Sequence, residues 1–180
     1  MILSTVWDAN AFCRSGGNVW EDSSLREWLQ DDFLNKAFTE EQQEALVETM
    51  CECEQREGQE VIDTDYSFDK VTLLSLDEVR EYFPTDDDRI VKATQYAQDE
   101  GAEIEYAADC CGWWLRSPGV KTMGLSSWNA CVMANGTVKP WGVYTSSIGV
   151  RPVITVNLDL ASSCQYDMVA DDEDDDGPVA

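Results

Sequence analysis

The sequence predicts an α+β fold in which helices pack on a small twisted antiparallel sheet with long C-terminal loops. Capping-box patterns mark three helix starts in the first half of the chain, at Ser24–Glu27, Thr39–Gln42 and Ser75–Glu78. In the second half, residues 113–157 contain short apolar runs separated by turn residues, as in an antiparallel sheet. Helix starts followed by a block of strands favour an α+β arrangement over a doubly wound sheet.

The N-terminal part is predicted to run from a strand into two helices. Residues 2–7 are predicted as the strand. Apolar residues recur at helical spacing in the first helix, at Leu25, Trp28, Leu29 and Phe33. The second helix is predicted to continue from Thr39 through Met50 and to end before Gly58. One face of each helix is therefore expected to pack inward.

The middle of the chain is predicted to return to a strand and then a helix. Val71–Ser75 is predicted as the strand, and the helix that Ser75 caps is expected to reach Phe83, before Pro84. Thr94–Ala97 is predicted as a further helical turn.

Two apolar motifs frame the predicted C-terminal sheet, WWLRSPG at residues 113–119 and GVRPV at residues 149–153. Between them, Asn135-Gly136 predicts a type I′ hairpin turn, because both residues tolerate positive φ. The segment 120–129 is expected to be irregular and to lie over the sheet.

Four residues of these motifs are expected to be structural, namely Trp113, Trp114, Arg116 and Arg151. The two tryptophans are expected in the core. The guanidinium groups lie among apolar residues and must be paired, with carboxylates or backbone carbonyls as suitable partners. The expected carboxylate partners are Glu27, Asp31 or Glu78.

The two motifs, together with SSLREWLQDDFLNKAFTEEQ and VTLLSLDEVREYF, resemble a family of bacterial and phage domains of unknown function. That family resembles the formylglycine-generating-enzyme type of C-type lectin fold. The resemblance implies a C-type lectin-like domain over residues 1–158 and leaves an acidic tail, 159–180, which is expected to be disordered. It also implies a relation to the variable ligand-binding proteins of diversity-generating retroelements. Members of the family begin with one or two further strands, so the leading strand is expected to be absent or supplied by a partner.

Composition excludes several function classes. The net charge is −24, with 36 acidic against 12 basic residues, so binding to nucleic acid or to anionic membranes is not expected. The chain contains no histidine, which removes Ser-His and Cys-His catalysis and histidine-ligated metals. Neither a cofactor nor a metal is expected.

Seven cysteines without a basic, apolar leader point to reduced thiols. The predicted location is therefore the cytoplasm or a virion, with no signal peptide. Cys51-Glu-Cys53 and Cys110-Cys111 lack the spacing of zinc knuckles.

The C-terminal loops, residues 120–147, are the predicted binding region. They combine large aromatics with small polar residues, the composition of antibody-like binding surfaces. The predicted ligand-binding residues are Ser126, Ser127, Trp128, Asn129, Lys139, Trp141, Tyr144, Thr145 and Ser146. The leading hypothesis is a non-enzymatic binding or display domain for a protein or small-molecule ligand. An unpaired sheet edge would favour a homo-oligomer.

Two alternatives stay open at this point. One is an enzyme of formylglycine-generating type, or another cysteine-dependent enzyme, which would need an exposed and activated Cys110, Cys111 or Cys131. The other is an acidic decoy that occupies a nucleic-acid-binding protein. For Trp128 and Trp141, burial beneath the loops is the competing interpretation.

Overall fold

The computed structural model describes residues 8–15, 17–52, 66–105, 109–119 and 127–161 of the 180-residue chain. The helices in these ranges are α1 (Ser24–Trp28), α2 (Leu34–Ala37), α3 (Glu40–Glu44), α4 (Leu76–Tyr82), α5 (Asp86–Arg89), α6 (Gln95–Asp99) and α7 (Leu158–Ala161). A π-helical segment, Leu29–Phe33, joins α1 to α2 without a break. The mixture of short helices and several antiparallel strand pairs confirms the predicted α+β class.

The largest sheet has five strands, β1 (Asp8–Ala9), β11 (Gly149–Val150), β8 (Trp113–Pro118), β9 (Trp128–Val132) and β10 (Val138–Gly142), in that spatial order. We call it the central sheet. A three-stranded sheet has the order β2 (Leu46–Val47), β12 (Val153–Val156) and β5 (Val71–Thr72). Two further pairs are β3 (Thr49–Glu52) with β4 (Tyr66–Asp69), and β6 (Ile104–Glu105) with β7 (Cys110–Cys111).

The C-terminal strands differ from the prediction in two ways. β11 runs parallel to β8, with Gly149 opposite Trp113, so the central sheet is mixed rather than purely antiparallel. β12 leaves the central sheet and pairs with β2 and β5. The change of sheet follows Arg151 and Pro152, and proline lacks the N–H that would continue a strand ladder.

The interior strand β8 of the central sheet is buried on both faces, which explains the uninterrupted apolar run of residues 113–115. Trp113 and Leu115 enter a core cluster with Val79 of α4, whereas Trp114 enters a second cluster with Leu25 of α1. Adjacent residues of a strand point to opposite faces, so consecutive large side chains serve two cores at once. The sheet therefore lies between the α1–α2 layer on one face and α4 with α6 on the other.

The helix starts follow the predicted caps with one shift. The capping boxes of Thr39 with Gln42 and of Ser75 with Glu78 are both present. In α1 the prediction was wrong by one residue, because Ser23 rather than Ser24 accepts the hydrogen bond from the backbone N–H of Arg26. The hydroxyl of Ser24 instead accepts from the backbone N–H of Arg14.

The predicted helix from Thr39 through Met50 is also wrong, because α3 ends at Glu44 and the chain continues as β2 and β3. In β3 only Cys51 is buried while its neighbours are half-exposed or exposed, which is the two-residue period of a strand. Hydrogen-bonded pairing with β4 overrides the helical propensity of this segment.

The hairpin between β9 and β10 is present, but it is not a type I′ turn. Gly136 has a φ of +80°, whereas the non-glycine residue at positive φ among those described is Asp109 alone, so Asn135 is not left-handed. The N–H of Gly136 donates to the carbonyl of Met133, and the N–H of Met133 donates to that of Thr137, at 2.8 Å each. This is a right-handed turn closed by a left-handed glycine, the three-residue hairpin loop.

Three sequence-based expectations fall partly or wholly outside the described residues: the strand at 2–7, most of the segment 120–129, and the tail beyond Ala161. At their borders, β1 pairs with β11, and Trp128 and Asn129 belong to β9 rather than to an irregular segment. The first residues of the predicted disordered tail, 159–161, belong to α7 instead. Within the part of the chain that the structure describes, no helix has the length and apolar character needed to span a membrane.

Candidate binding surface

Large aromatic side chains are exposed at one end of the central sheet, where β9 begins and β10 ends. Trp128 is 38% exposed, Trp141 37% and Tyr144 60%. Ser127 precedes Trp128, and the half-exposed Thr145 and exposed Ser146 follow Tyr144. We call these six residues the rim: Ser127, Trp128, Trp141, Tyr144, Thr145 and Ser146. Because Trp128 and Trp141 are both exposed, the competing interpretation that they are buried beneath the loops is wrong.

The backbone beneath the rim is tied to the rest of the fold. The N–H of Val143 donates to the carbonyl of Ser127 at 3.0 Å, and the carbonyl of Val143 accepts from the N–H of Cys13 at 3.1 Å. The side-chain amide of Asn18 donates to the carbonyl of Trp128 at 3.0 Å. Because the side chain of Val143 is fully buried, Tyr144 projects from an anchored position rather than from a free loop.

The strand register places the two rim tryptophans on opposite sides of the β9–β10 ribbon. Trp128 is opposite Gly142, and Trp141 is opposite Asn129. Opposed residues share a face while adjacent residues do not, so the rings of Trp128 and Trp141 project from opposite faces of the same end. The rim is therefore an edge with an aromatic on each side, not a flat patch.

Asn129 corrects the predicted set of ligand-binding residues. Its side chain is fully buried, and its Nδ2 donates to the carbonyl of Leu115 at 2.6 Å across the β8–β9 register shift. Such a group joins two strands and cannot contact an external ligand directly. Lys139 is exposed but lies on β10 away from its end, opposite Cys131. Ser126 lies outside the described residues.

Arg116 forms the carboxylate pair that the sequence led us to expect, with Glu78 of α4. Its Nη1 and Nη2 donate to Oε2 and Oε1 of Glu78 at 2.5 and 2.9 Å, and Nη1 also donates to the carbonyl of Leu73 at 2.7 Å. Burial alone would raise the pKa of Glu78, but hydrogen bonds from Arg116 and from the N–H of Ser75 outweigh it and lower that pKa. The pair fastens α4 to β8.

Arg151 is held in a different way, between two aromatic rings. Its guanidinium carbon lies 4.7 Å from the ring centre of Phe83 and 4.9 Å from that of Trp113. A buried guanidinium stacks on aromatic faces as well as pairing with oxygen atoms. Burial lowers the pKa of Arg151 from its ordinary value. No sequence pattern pointed to Phe83 as a partner, because stacking has no characteristic spacing.

The buried carboxyl group of Asp69 was not anticipated from the sequence. The carboxylate of Asp69 is fully buried and accepts hydrogen bonds from Trp20 Nε1 at 2.9 Å, Arg26 Nε at 2.7 Å and Ser67 Oγ at 2.8 Å. This group joins β4 to α1 and to the N-terminal segment. With its lone pairs engaged by three donors, it acts as a structural node.

The cysteines named for the enzyme alternative are buried thiols. Burial raises the pKa of Cys131 to about 12, and burial together with the neighbouring Cys110 raises that of Cys111 to about 12. A nucleophilic thiol requires the opposite shift and an accessible sulfur. Among the described residues, no group of three or more Cys, Asp or Glu side chains is arranged to hold a metal ion.

These features define a class: an α+β domain with a mixed central sheet, a core cluster on each face of its interior strand β8, and an aromatic rim at one end. The chain belongs to the family described as "Domain of unknown function (DUF6273)", whose model matches residues 2–158. No curated protein and no solved structure matches the chain.

Proposed function

We propose that this protein is a non-enzymatic ligand-binding or display domain with a C-type lectin-like fold, and that its rim contacts a protein or small-molecule ligand. The observation that carries the proposal is the exposure of Trp128, Trp141 and Tyr144 at one anchored end of the central sheet. Large rigid rings beside small polar side chains give contact area at low entropic cost. Lys139 extends the same surface along β10.

The support beneath the rim favours binding without rearrangement. The Arg116–Glu78 pair and the stacked Arg151 hold the interior strands, while hydrogen bonds to Cys13 and Asn18 hold the rim backbone. A preorganised surface loses less conformational freedom when a ligand binds. Substitution of rim side chains should accordingly leave the scaffold folded, as a variable protein requires.

The finer form of the proposal is a variable protein of a diversity-generating retroelement in a phage or bacterium. It rests on the resemblance of the WWLRSPG and GVRPV motifs to that group. The genomic test is a near-identical repeat of the coding segment for residues 113–155 that differs mainly at adenines, beside a reverse transcriptase gene. A chromosome without that arrangement would refute diversification and leave a fixed binding module.

The edge of the central sheet points to recognition by side chains rather than by strand addition. Among the described strands, β10 lies at the edge of the sheet, and it carries Lys139 and Pro140. Lysine and proline on an edge strand oppose pairing with another chain. The net charge of −24 further favours neutral or cationic ligands over nucleic acid and anionic membranes. The location we propose is the cytoplasm or a virion.

The test is a binding screen of the full chain against arrays of defined glycans and peptides. A triple variant, Trp128→Ser/Trp141→Ser/Tyr144→Ser, reports dependence on the rim. The matched control, Tyr82→Ser/Tyr96→Ser, removes two aromatics of similar exposure from α4 and α6. We expect at least one array member to be retained by the natural chain and the control but lost by the triple variant. Equal retention by the triple variant, or no retained member at all, would contradict the proposal.

A further inference from the structure

A cavity of about 280 Å³ opens beside α1, separate from the rim. It is lined by Arg14, Ser24, Glu27, Trp28, Asp31 and Asp32. Five of these residues come from the continuous α1 and π-helical segment, and Arg14 comes from the loop before it. The volume suits a molecule of amino-acid size, slightly below the range of typical drug-sized sites.

The π-helical segment brings the acidic residues to one side. Glu27 and Asp31 are four residues apart, and Asp32 follows one residue later. A π-helix has a wider turn than an α-helix, with hydrogen bonds that span five residues. Asp31 and Asp32 both line the cavity together with Glu27. The opposite face carries Leu29 and Phe33 into the core, which fixes the helix beneath the cavity.

The charges of the cavity are held apart. In the ranges that the structure describes, ion pairs within 4.0 Å join Arg26, Arg80, Arg89 and Arg116 to carboxylates, but none joins Arg14 to Glu27, Asp31 or Asp32. The Nη2 of Arg14 instead lies 3.4 Å from the side-chain oxygen of Asn10. Asp31, at the cavity wall, accepts a hydrogen bond from the side-chain amide of Asn35 at 3.0 Å.

We propose that this cavity binds an amino acid with a cationic side chain, with the side-chain cation between Trp28 and the three acidic residues and the α-carboxylate at Arg14. An indole face attracts an ammonium or guanidinium group, and nearby carboxylates add to that attraction. A planar guanidinium such as that of Arg14 suits a carboxylate. Trp28 packs on Phe33 with ring centres 5.5 Å apart, so the wall is held in place before a ligand arrives.

Because the cavity is lined by more acidic than basic residues, the cationic end of the ligand should contribute most to its affinity. Three negative side chains face one positive side chain, within a chain of net charge −24. Arg14 then acts as the group that distinguishes a cationic amino acid from a cation that has no carboxylate. This site does not depend on the rim or on the function proposed for it.

The test is isothermal titration of the full chain with three probes: L-arginine, agmatine and L-citrulline. Agmatine lacks the carboxylate of arginine, and citrulline lacks its side-chain cation. We expect arginine to bind about tenfold more tightly than either, since each lost charged contact is worth about one decade in affinity. Undetectable arginine binding at millimolar concentration, or agmatine binding as tightly as arginine, would overturn the proposal.

Substitutions of the lining residues test whether arginine binds in this cavity. Asp31→Asn/Asp32→Asn is expected to weaken both arginine and agmatine, whereas Arg14→Gln is expected to weaken arginine alone. The matched control, Glu40→Gln/Glu44→Gln, removes two exposed carboxylates from neighbouring α3 and should change neither affinity by more than about twofold. Melting temperatures within a few degrees of the natural chain exclude loss of folding as the cause. A control that weakens arginine as much as the aspartate variant would show a general charge effect and refute the site.

Discussion

Trp113 and Trp114 differ sharply from Trp128 and Trp141, although all four lie on strands of the same sheet. The first two are fully buried in β8, which has β11 on one side and β9 on the other. The second two lie at one end of the β9–β10 ribbon and keep more than a third of their surface exposed. Position in the sheet, and not residue type, therefore separates the scaffold tryptophans from the candidate ligand contacts.

The largest contrast should appear when these tryptophans are replaced one at a time. Trp114→Ala removes a ring packed near Phe12 and a hydrogen bond to the carbonyl of Asn10, and should cost about 3–5 kcal/mol of unfolding free energy. Trp128→Ala and Trp141→Ala should each cost about 1 kcal/mol or less. Urea denaturation measures all three. Equal costs would remove the distinction between scaffold and rim.

Substitutions of two separate glycines, Gly136 and Gly101, test whether the β9–β10 hairpin belongs to the rigid scaffold. A Cβ on Gly136 would overlap the backbone carbonyl of Asp86, so Gly136→Ala should cost about 3 kcal/mol. Gly101 also has a positive φ, but no atom lies within 4 Å of the position that a Cβ would take there, so Gly101→Ala should cost only about 1 kcal/mol. Similar losses for both would show that α5 and the hairpin are not in close contact.

The Arg116–Glu78 pair should make scaffold stability depend on pH. The pKa of Glu78 is lowered in the folded state, so its contribution is complete above its ordinary pKa and is lost as the pH falls below about 4.5. Glu78→Gln should destabilise the protein by about 2 kcal/mol at pH 7, because it removes the carboxylate that pairs with the largely buried Arg116. The difference between variant and natural chain should shrink on acidification. A difference that is constant from pH 7 to 3 would contradict the pairing.

The smallest expected effect concerns Arg151. Arg151→Lys keeps the charge but loses the planar stack on Phe83 and Trp113, and should cost about 1 kcal/mol. Arg151→Met keeps apolar contact with the rings without the charge and reports the electrostatic part separately. A lysine variant as stable as the natural chain would show that stacking geometry contributes nothing.

Sequence patterns predicted the elements that local chemistry controls. The caps at Thr39 and Ser75 were predicted correctly because a hydroxyl at a helix start has a fixed spacing to the amide it satisfies. Segment 46–52 was assigned wrongly because its strand state depends on pairing with residues 66–69 and 155–156, far away in sequence. The type of the turn at Asn135 was also predicted wrongly. Gly136 lies against the backbone of Asp86, a contact with a distant part of the sequence that the Asn-Gly pattern does not show.

The candidate site was predictable in composition but not in orientation. Sequence placed aromatic and small polar residues around the hairpin, and the structure exposes Trp128, Trp141 and Tyr144. The sequence did not show that Asn129 points inward, because the face on which each residue lies depends on the register of β9 with β8 and β10. The cavity at Arg14 was missed since it joins a loop to a helix through tertiary contact alone.

Acrylamide quenching of tryptophan fluorescence tests the central claim most directly, that an anchored scaffold presents an exposed aromatic rim. Trp128→Phe/Trp141→Phe should lower the Stern–Volmer slope of the folded chain, because it removes accessible emitters. Trp20→Phe, which removes a buried emitter, should leave that slope unchanged or raise it. An unchanged or higher slope in the double variant would mean that these rings are shielded in solution, and the rim would not exist as a binding surface.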